Sequence, residues 1–589
     1  MLVGIDLGTT NTSVSYVDKK GKLNVLSLGE QKKTLPSVVS IVEGEIYVGE
    51  SAQRQALVNP RNTIFDVKRM LGRKFTDVEV QNSLLKYPYR LIKGERNQVK
   101  ILIDDKTYSV EQIVSFILQK IKHVFKEELG QDISNSVLTV PAYFNNIQRK
   151  AMLDAAELAN LKVERLISEP TSAAMAYGYY QEDNKNIAVY DLGGGTFDIS
   201  LLELKNNTFR VLNSYGDTFL GGSDIDYHLF EHLCQDIWEQ HKIYIKDSAV
   251  LTYKVRSASE NIKKELSVHR KVLVEFPFLK GPNGQVVSYS KEINRQTLES
   301  MSRAIVEKTL IIAQQSLDRA GLKKTDLDDV VLVGGQCKMP MVMDRVANFF
   351  GRTAAKIINQ DEIVSAGAAL YGDALTQKRK HSIILKDVLP QSMSIRKNLR
   401  MKRLFKAGQA LPLSKTVKIE LNDEEREHTF FIDEGEIEGN SLPKNLGAVK
   451  LDTKNLQNKK SVNMTFSINE SGILKTELDS KQSGEKEVKH QPRIQSHGLS
   501  VDEIEQVKRS VDSKLASTQH SKDMAEKQLK ELLQKVQGMY LDQKALFNID
   551  QQNKIEKIFQ LGPAVLNHGD HIKMQKMLES LYVLQQQLV

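Results

Sequence analysis

The feature that most constrains this chain is an imperfect internal repeat of one hairpin pattern. The first copy, Ile5–Thr12, and the second, Tyr190–Asp198, each place an aspartate at the end of an apolar strand, before a turn of glycines and threonines and a second strand. Glycines let backbone N–H groups approach an anion, threonine hydroxyls add donors, and the aspartate supplies a hard oxygen for Mg²⁺. Two such hairpins predict a fold that clamps a polyphosphate from two sides.

Neither copy matches the other common phosphate-binding patterns, because no Gly-Lys-Ser/Thr opens a helix and no GxGxxG spacing is present. One copy alone is equally compatible with an ordinary tight hairpin, whereas the pair favours phosphate binding. A third glycine turn, Gly334-Gly335, ends the strand Val330–Val333. It suits a nucleoside that approaches the carboxyl end of a sheet.

Length and composition exclude several other classes of protein. A chain of 589 residues is too long for one hydrophobic core, so two to four domains are expected. The net charge of +8 (82 − 74) is too mild to indicate nucleic-acid binding. Two cysteines, Cys234 and Cys337, form neither a disulfide framework nor a zinc motif. With no apolar run of membrane length and no signal-peptide pattern, we expect a cytoplasmic protein with no membrane partner.

Periodicity divides the chain into four segments. Residues 1–376 alternate β-branched strands with helical stretches, which is typical of an α/β domain. Residues 377–390, QKRKHSIILKDVLP, predict a linker whose apolar core Ile383–Leu385 docks. Residues 391–498 are short strands with turns, typical of an all-β unit. Residues 499–589 have helical spacing after the capping box Ser500–Glu503.

The individual elements follow from the same patterns. Strands are expected at Leu2–Ile5, Ser37–Ile41, Ser136–Val140, Ile187–Tyr190, Ile199–Leu204, Val330–Val333, Thr416–Glu420, His428–Ile432, Val462–Ile468 and Gly472–Glu477. Helices are expected at Val110–Glu127, Asn146–Leu158, Asp224–Glu239, Tyr253–Leu266, Arg295–Ala320, Met524–Met539, Gln551–Gln560 and Ile572–Leu588. A hairpin turn is expected at Asn469–Gly472, and polar joints at Ser480–Ser496 and Ser517–Ser521.

Seven segments together resemble the DnaK-type, seventy-kilodalton heat-shock chaperones of the actin, sugar-kinase and heat-shock ATPase superfamily. They are GIDLGTTNT, LPSVVSI, KRMLGR, TVPAYFNNIQR, SEPTSAA, YDLGGGTFDIS and VLVGGQ. The resemblance implies a two-lobed α/β ATPase domain of the actin-like (ribonuclease H-like) fold, then a β-sandwich peptide-binding domain, then an α-helical lid. It also implies ATP/ADP and Mg²⁺ as cofactors and an ATPase activity coupled to peptide binding.

The same resemblance assigns site residues. It implies catalytic roles for Lys68, Glu169, Asp191 and Thr196, and Mg²⁺ binding through water by Asp6 and Asp191. It implies nucleotide contacts from Asp6, Gly8, Thr9, Thr10, Asn11, Gly193, Gly194, Gly195, Thr196, Glu260, Lys263, Lys264, Ser267, Gly334, Gly335, Lys338 and Asp361. Outside this context Lys68 would be interpreted as a surface lysine, and the helix with Glu260 and Ser267 as a charged solvent face.

The peptide-binding half departs from the family pattern. The resemblance implies a pocket formed by Ile395, Ile419, His428 and Phe430, in which the last three replace the family's residues. In the first unit Asn146 replaces an aspartate and Lys338 an arginine. The site should still accept a short, extended, apolar peptide.

The leading hypothesis is therefore an ATP-dependent chaperone that binds unfolded or client polypeptides with a J-domain co-chaperone and a nucleotide-exchange factor. A specialised member for iron–sulfur cluster assembly, of the HscA type, remains an alternative. A small-molecule kinase or an actin-like filament protein on the same fold is disfavoured, because neither needs the units after residue 390.

Overall fold

Strands and helices alternate through the first two thirds of the chain. A region of strands follows, and then a region of helices. The computed structural model describes residues 1–28, 32–179, 184–355, 359–376, 383–397, 400–420, 427–436, 443–452, 461–479, 494–495, 498–511, 518–544, 547, 549–568, 573–574, 577–578, 580–581 and 584–585.

The strands of the first unit are β1 Leu2–Leu7, β2 Asn11–Val17, β3 Leu23–Val25, β4 Thr34–Pro36, β5 Val39–Val42, β6 Glu45–Val48, β7 Thr63–Ile64, β8 Arg90–Lys93, β9 Val99–Ile103, β10 Lys106–Ser109, β11 Asn135–Val140, β12 Val163–Ser168, β13 Lys185–Leu192, β14 Phe197–Lys205, β15 Thr208–Asp217, β16 Lys271–Lys280, β17 Val286–Asn294 and β18 Asp329–Val333. Its helices are α1 Glu50–Gln55, α2 Val78–Gln81, α3 Val110–Leu129, α4 Asn146–Leu158, α5 Glu169–Gly178, α6 Gly222–His241, α7 Ala249–Val268, α8 Arg295–Ala320, α9 Pro340–Phe350 and α10 Ile363–Thr376. Short 3₁₀ helices cover Pro60–Asn62, Val67–Met70, Ile245–Asp247, Lys324–Asp326 and Gly335–Lys338.

The remaining strands are β19 Ile384–Lys386, β20 Met393–Lys397, β21 Arg400–Phe405, β22 Leu413–Glu420, β23 Glu427–Glu434, β24 Lys444–Asp452, β25 Ser461–Ile468, β26 Leu474–Asp479 and β27 Ile494–Gln495. The last helices are α11 Val501–Val511, α12 Thr518–Gln543 and α13 Ile549–His568.

The internal repeat is the nucleus of two lobes. Lobe I is built on the sheet β12-β11-β1-β2-β3, with β4 also on β2, and lobe II on the sheet β18-β13-β14-β15-β19. In each lobe the first strand of the hairpin pairs antiparallel with the second and parallel with a later strand. The register places Asp6 opposite Ser13 and Asp191 opposite Asp198. The predicted repeat is therefore also a repeat of topology.

Helices α5 and α10 cross between the two lobes. Small residues allow this crossing, since a Cβ on Gly367 would lie 1.7 Å from the carbonyl oxygen of Ser172. Ala173, Ala174 and Ala368 are fully buried around it. A contact this close leaves no room for a larger side chain, so the two helices form a tight joint below the lobes.

The linker docks on lobe II, as its apolar core predicted. Strand β19 pairs parallel with β15, which extends the lobe II sheet by one strand. Ile383 and Val388 are buried in the cluster that also contains residues of α5 and α10. The linker therefore touches the joint between the lobes.

The described residues between 391 and 495 form two packed antiparallel sheets, β21-β20-β23-β24-β27 and β22-β25-β26. Alternate residues of β25, Val462, Met464, Phe466 and Ile468, are buried between them, the period expected for strands with one buried face. The predicted turn closes the hairpin β25–β26, where the amide of Gly472 donates to the carbonyl of Asn469 at 2.9 Å.

The β-sandwich is docked on lobe I. The backbone amide of Asn146 donates to Glu434 at 3.2 Å, and its side-chain amide donates to the carbonyl of Gly472 at 2.8 Å. Arg149 donates to the carbonyl of Ser471, and Lys444 pairs with Asp77 at 2.7 Å. The lobe I partners lie on α4 and at the start of α2, and the sandwich partners lie on both of its sheets, so the contact has a fixed orientation.

The predicted capping box begins α11, where Ser500 and Glu503 each accept from the other's backbone amide, at 3.2 and 2.7 Å. The expected joint Ser517–Ser521 is wrong, because α12 already begins at Thr518. Residues 518–521 contain neither glycine nor proline, so the sequence there does not end the helix. The joint Ser480–Ser496 lies largely outside the described residues. So does much of the predicted helix Ile572–Leu588, whose described residues 573–574, 577–578, 580–581 and 584–585 are helical.

Candidate functional site: a cleft between two lobes

A cavity of about 850 Å³ lies between the lobes, within the size range of pockets for small molecules. The wall formed by the first hairpin and the segments next to it contains Asp6, Gly8, Thr9, Thr10, Asn11 and Lys68. The wall formed by the second hairpin contains Asp191, Gly193, Gly194 and Thr196. Glu169, Glu260, Lys263, Lys264, Gly334, Gly335, Lys338 and Asp361 complete the predicted set around it. Sequence reasoning thus found most of one contiguous site.

The two hairpin turns face each other across the cavity at contact distance. A Cβ on Gly194 would lie 2.0 Å from the hydroxyl oxygen of Thr10, and one on Gly195 would lie 2.5 Å from Thr9 Cγ2. A side chain at either glycine would therefore force the turns apart. This approach leaves backbone amides and threonine hydroxyls as the groups exposed between them, which are donors suited to phosphate oxygens.

Helix α6 supports the second turn from behind. The amide of Gly222 donates to the carbonyl of Gly193 at 2.9 Å, and the amide of Ser223 to that of Gly194 at 2.7 Å. These bonds use the first N–H groups of the helix, which have no partner within it. The turn is therefore fixed before any ligand binds.

Buried acids dominate the floor of the cleft. Burial, together with the charge of Glu169, raises the pKa of Asp6 to about 7. Burial and then Glu169 also raise the pKa of Asp191 well above its ordinary value. Burial and the charge of Glu169 also raise the pKa of Asp198 well above its ordinary value. The carboxylates repel one another in a desolvated space, which is an arrangement that a bound cation stabilises.

Lys68 is the counter-charge that the chain itself supplies. Its ammonium lies 2.5 Å from Glu169 Oε1, and both groups are nearly completely buried. Glu169 is the first residue of α5, so the joint between the lobes fixes this pair. The surface interpretation of Lys68 is therefore wrong. A buried lysine beside the phosphate-binding turns can contact an anion without first losing a water shell.

At the other end of the cavity, α7 and the Gly334 turn form the walls. Lys263 pairs with Asp226 at 2.8 Å and donates to the carbonyl of Gly222, while Lys264 pairs with Glu260 at 2.6 Å. Lys263 is buried in this wall, whereas Lys264 lines the cavity from its exposed rim.

The backbone conformation at position 334 and the space around it require a glycine. It has a φ of +84°, and a Cβ there would lie 2.3 Å from the carbonyl oxygen of Leu192. Beside it, Lys338 and Asp361 form a partly exposed pair at 2.5 Å. The third glycine turn therefore brings backbone against the cavity, as its sequence predicted.

Two predicted residues do not line the cavity. Ser267 lies two helical turns from Glu260, about 10 Å along the axis, and its hydroxyl donates to the carbonyl of Lys263. Gly195 is turned towards lobe I, where its carbonyl accepts from Arg69 Nε at 3.1 Å. Helical spacing predicts that Ser267 is on the same helix face as Glu260, but not how far along the helix the cavity extends. A turn motif likewise does not show which of its glycines faces away from the cavity.

Sequence reasoning missed two features of the cleft. Asp198 closes the second motif and accepts from the amide of Tyr143 at 3.1 Å, beside the acids of the floor. Arg69 forms a two-pronged pair with Asp224 of lobe II, at 3.2 and 2.6 Å. The sequence signals for these two features are the aspartate that ends the segment Thr196–Asp198 and the arginine next to Lys68. The partner of Arg69 lies 155 residues away, so no local pattern indicates this pair.

The four predicted peptide-contacting residues lie together in the β-sandwich. Ile395, Ile419 and Phe430 are buried in its core cluster. His428 is fully buried, stacks on Phe430 with ring centroids 6.4 Å apart, and lies 2.8 Å from Lys397 Nζ. His428 is therefore a core residue of the sandwich, and the role of these four residues in peptide binding stays a prediction.

The donor set fits a magnesium nucleotide. Among the described side chains no three His, Cys, Asp or Glu converge into a metal cage. Mg²⁺ is commonly bound by only one or two carboxylates and keeps several waters, and Asp6 and Asp191 offer two in an over-acidic floor. The opposed turns supply neutral donors for phosphates.

Two lobes around such a cleft, followed by a sheet-rich and a helical region, define an actin-like ATPase with a C-terminal extension. The family model for the Hsp70 protein matches residues 2–589. The chain is also 37% identical over 568 residues to the chaperone protein DnaK of Buchnera aphidicola subsp. Schizaphis graminum (strain Sg), covering 94% of this chain and 87% of the relative. The chain belongs to the Hsp70 family.

Membership of this family establishes the activity. The protein is an ATP-dependent molecular chaperone and an ATPase that uses ATP/ADP with Mg²⁺, and it acts on client polypeptides together with co-chaperones. Within the part of the chain that the structure describes, every helix is too short or too polar to cross a membrane.

Proposed function

We propose that this chaperone couples ATP hydrolysis in the cleft to the capture and release of short, extended, apolar peptide segments by its β-sandwich. The observation that carries this proposal is the double attachment of the sandwich. Its linker extends the lobe II sheet through β19, while its edge contacts lobe I through Asn146 and Arg149. A change in the angle between the lobes must therefore strain or release the sandwich.

In this proposal Lys68 positions the γ-phosphate and the attacking water, and Glu169 orients Lys68. Asp6 and Asp191 bind the hydrated Mg²⁺, and Thr196 donates to phosphate. Mg²⁺, when bound, neutralises charge on the phosphates. The remaining acceleration comes from charges fixed before substrate binds, since Lys68 and Glu169 are already paired and buried.

The nucleoside end is assigned to α7 and the Gly334 turn. Gly334 and Gly335 let backbone approach the base, and Glu260, Lys263 and Lys264 contact the sugar side. Lys338 contacts the base with Asp361 beside it. Since lysine lacks a planar guanidinium, this contact is weaker than an arginine would make.

For the C-terminal half we propose the boundaries 1–376 for the ATPase domain, 377–390 for the linker, 391–498 for the peptide-binding β-sandwich and 499–589 for the helical lid. The peptide lies in extended form against the pocket of Ile395, Ile419, His428 and Phe430. Backbone hydrogen bonds supply affinity, and this pocket selects one apolar side chain.

The coupling is reciprocal. ATP favours the docked arrangement of sandwich and linker, in which peptide exchanges rapidly, and hydrolysis favours the closed arrangement that retains peptide. By linkage, bound peptide then shifts the affinity for ATP by the same factor. We further propose that a J-domain protein accelerates hydrolysis and that an exchange factor accelerates release of ADP.

A peptide-release experiment tests this function. Purified protein is incubated with a fluorescent apolar peptide, and peptide release is followed by anisotropy after addition of Mg-ATP. Rapid release by ATP and slow release by ADP are expected. The Asn146→Ala and Arg149→Ala double variant, which removes side-chain contacts between lobe I and the sandwich, should bind peptide but respond less to ATP. Absence of peptide binding, or release that is independent of nucleotide, would contradict the proposal.

A further inference from the structure

The net positive charge of the chain is concentrated in one stretch of the β-sandwich. Between Asp387 and Glu420 the sequence contains eight Lys and Arg residues and no Asp or Glu. The rest of the chain has 82 − 8 = 74 Lys and Arg residues against 74 Asp and Glu residues, so its formal charges balance. Six of the eight cations form a basic edge on β20, β21 and the residue after β21, namely Arg396, Lys397, Arg400, Lys402, Arg403 and Lys406.

Acids of the sandwich neutralise only part of the basic edge. Arg396 pairs with Asp433 at 2.5 Å, and Arg403 pairs with Glu436 at 2.9 Å. Arg400 and Lys402 are exposed and form no ion pair with any residue that the structure describes. The basic edge therefore keeps positive charge that is available to a binding partner.

Strand register places these two cations on the same side of the sheet as the proposed peptide pocket. Ile395 of the pocket is directly opposite Lys402, and Lys397 is directly opposite Arg400. Directly opposite residues of antiparallel strands share a face, and so do alternate residues of one strand. Arg400 and Lys402 are therefore on the face to which Ile395 belongs.

Lys397 connects the basic edge to the other pocket residues. Its ammonium lies 2.8 Å from Nδ1 of His428 and 5.6 Å from the ring centre of Phe430. On the neighbouring strand Ile395 is opposite Ile432, which is two residues from Phe430, so these side chains share one face as well. The proposed pocket and the basic edge are thus parts of one continuous surface.

The second sheet of the sandwich leaves this surface open at β21. Arg400–Arg403 are all exposed, whereas Leu404 and Phe405 are buried. A strand between two sheets alternates between buried and exposed residues, so the second sheet covers β21 only from Leu404 onwards. Among the described strands β21 is also the last of its sheet, with β20 as its one neighbour. An extended segment at the pocket therefore has free access to Arg400 and Lys402.

We infer that the β-sandwich selects client segments in which acidic residues flank the apolar residue that enters the pocket, and that Arg400 and Lys402 make this selection. The inference rests on the proposed peptide binding at the pocket and adds a charge preference to it. Directly opposite Cβ atoms are about 5 Å apart, and an extended peptide advances about 3.3 Å per residue. A carboxylate one to three positions from the apolar residue is therefore within reach of either cation.

The surroundings of the basic edge favour a polypeptide over a nucleic acid. Single-stranded nucleic acids are bound through exposed aromatic rings on which their bases stack. Phe430, which lies on this face, is buried. Cations beside an apolar pocket instead match a peptide that carries both an apolar and an acidic side chain.

The test compares three fluorescent peptides on the full-length protein in ADP. The peptides share one apolar core and carry two Glu, two Gln or two Lys residues on each side of it. Anisotropy should give a dissociation constant about tenfold lower for the Glu peptide than for the Lys peptide, since each exposed ion pair contributes up to about fivefold. In 1 M NaCl, where the Debye length is about 3 Å, the three constants should converge.

The outcomes separate this inference from the proposed function. Equal affinities for the three peptides at low salt would overturn the charge preference and leave apolar peptide binding intact. A preference for the Lys peptide would overturn it as well. Absence of binding by all three peptides would contradict the proposed function itself.

A charge reversal tests the two assigned residues. Arg400→Glu with Lys402→Glu should reverse the order, so that the Lys peptide binds more tightly than the Glu peptide. The matched control is Lys418→Glu with Lys475→Glu, which changes the net charge equally at two exposed positions flanked by buried neighbours on β22 and β26. The control should keep the wild-type order. The same change of order in both variants would show a general charge effect and overturn the assignment.

A short fluorescent single-stranded RNA tests the alternative partner. The RNA should bind more weakly than the Glu peptide. RNA binding that is tighter than peptide binding, and that the Arg400→Glu and Lys402→Glu variant loses, would make the basic edge a nucleic-acid surface and would overturn the inference.

Discussion

Hairpin β1–β2 of lobe I and hairpin β13–β14 of lobe II have the same pairing register but carry different residues. Opposite Asp6 stands Ser13, whereas opposite Asp191 stands Asp198. Lobe I also contributes the buried cation Lys68, and lobe II contributes a second buried acid. The repeat therefore sets the shape of the cleft, and its divergence at Ser13 and Asp198 makes the lobe II wall the more acidic one. The positive charge on lobe I comes from Lys68, which lies outside the repeat.

The largest effect is expected from removing the cation that makes the lobes unequal. Lys68→Ala should lower the single-turnover rate of ATP hydrolysis about 10²- to 10³-fold, because fixed charge at the phosphate supplies much of the acceleration. Lys20→Ala, at an exposed position of lobe I, is the matched control. A normal rate in Lys68→Ala would show that the cation of lobe I is not catalytic.

The second prediction compares the two residues opposite the strand-end acids. Asp198→Asn removes an acid whose charge raises the pKa of Asp191, so the acid limb of the pH profile of ATPase activity should move to lower pH. Ser13→Ala should leave it unchanged, because the Ser13 hydroxyl is buried without a hydrogen-bond partner. Equal responses of the two variants would mean that the asymmetry has no electrostatic role.

The third prediction concerns the first glycine of each turn. A Cβ on Gly8 would lie 2.2 Å from the carbonyl oxygen of Asn11, whereas one on Gly193 meets only the carbonyl of Thr196, at 3.7 Å. Gly8→Ala should therefore destabilise the fold by about 1–3 kcal/mol. Gly193→Ala should cost much less. Thermal unfolding without nucleotide measures both, and a reversed order would contradict the geometry of the turns.

The smallest effect is expected at the contact between lobe I and the β-sandwich, where docking should depend on pH. Burial raises the pKa of Glu434 to about 7, although the amide of Asn146 and the cations Arg149 and Lys444 partly oppose this shift. A raised pKa means that docking favours the protonated acid. The stabilisation of docking by protonated Glu434 is therefore complete below the ordinary pKa of this carboxyl, about 4.5, and is lost as the pH rises through about 7.

Small-angle scattering of the ATP-bound protein at pH 6 and pH 8 checks this sign. The wild type should be more expanded at pH 8, and Glu434→Gln should be compact at both values, because its amide stays neutral. An expansion in Glu434→Gln equal to that of the wild type would assign the pH effect to other groups.

Much of this fold was accessible from the sequence. Helices Asn146–Leu158 and Arg295–Ala320 have the bounds that the helical pattern predicted. The hairpin repeat located both glycine turns and both strand-end acids that line the cavity. These features are local, since glycine content, strand alternation and caps depend on neighbours within a few residues.

What the tertiary structure decided is how distant segments meet. The pair Arg69–Asp224 joins residues 155 positions apart, and Phe278 packs in a cluster with α12, which begins 240 positions later in the chain. The same structure excludes Ser267 from the cavity and places His428 in a core. Side-chain type and spacing give the face on which a residue lies. Which surface covers that face, and how burial then shifts its charge, depends on packing between segments that no local pattern specifies.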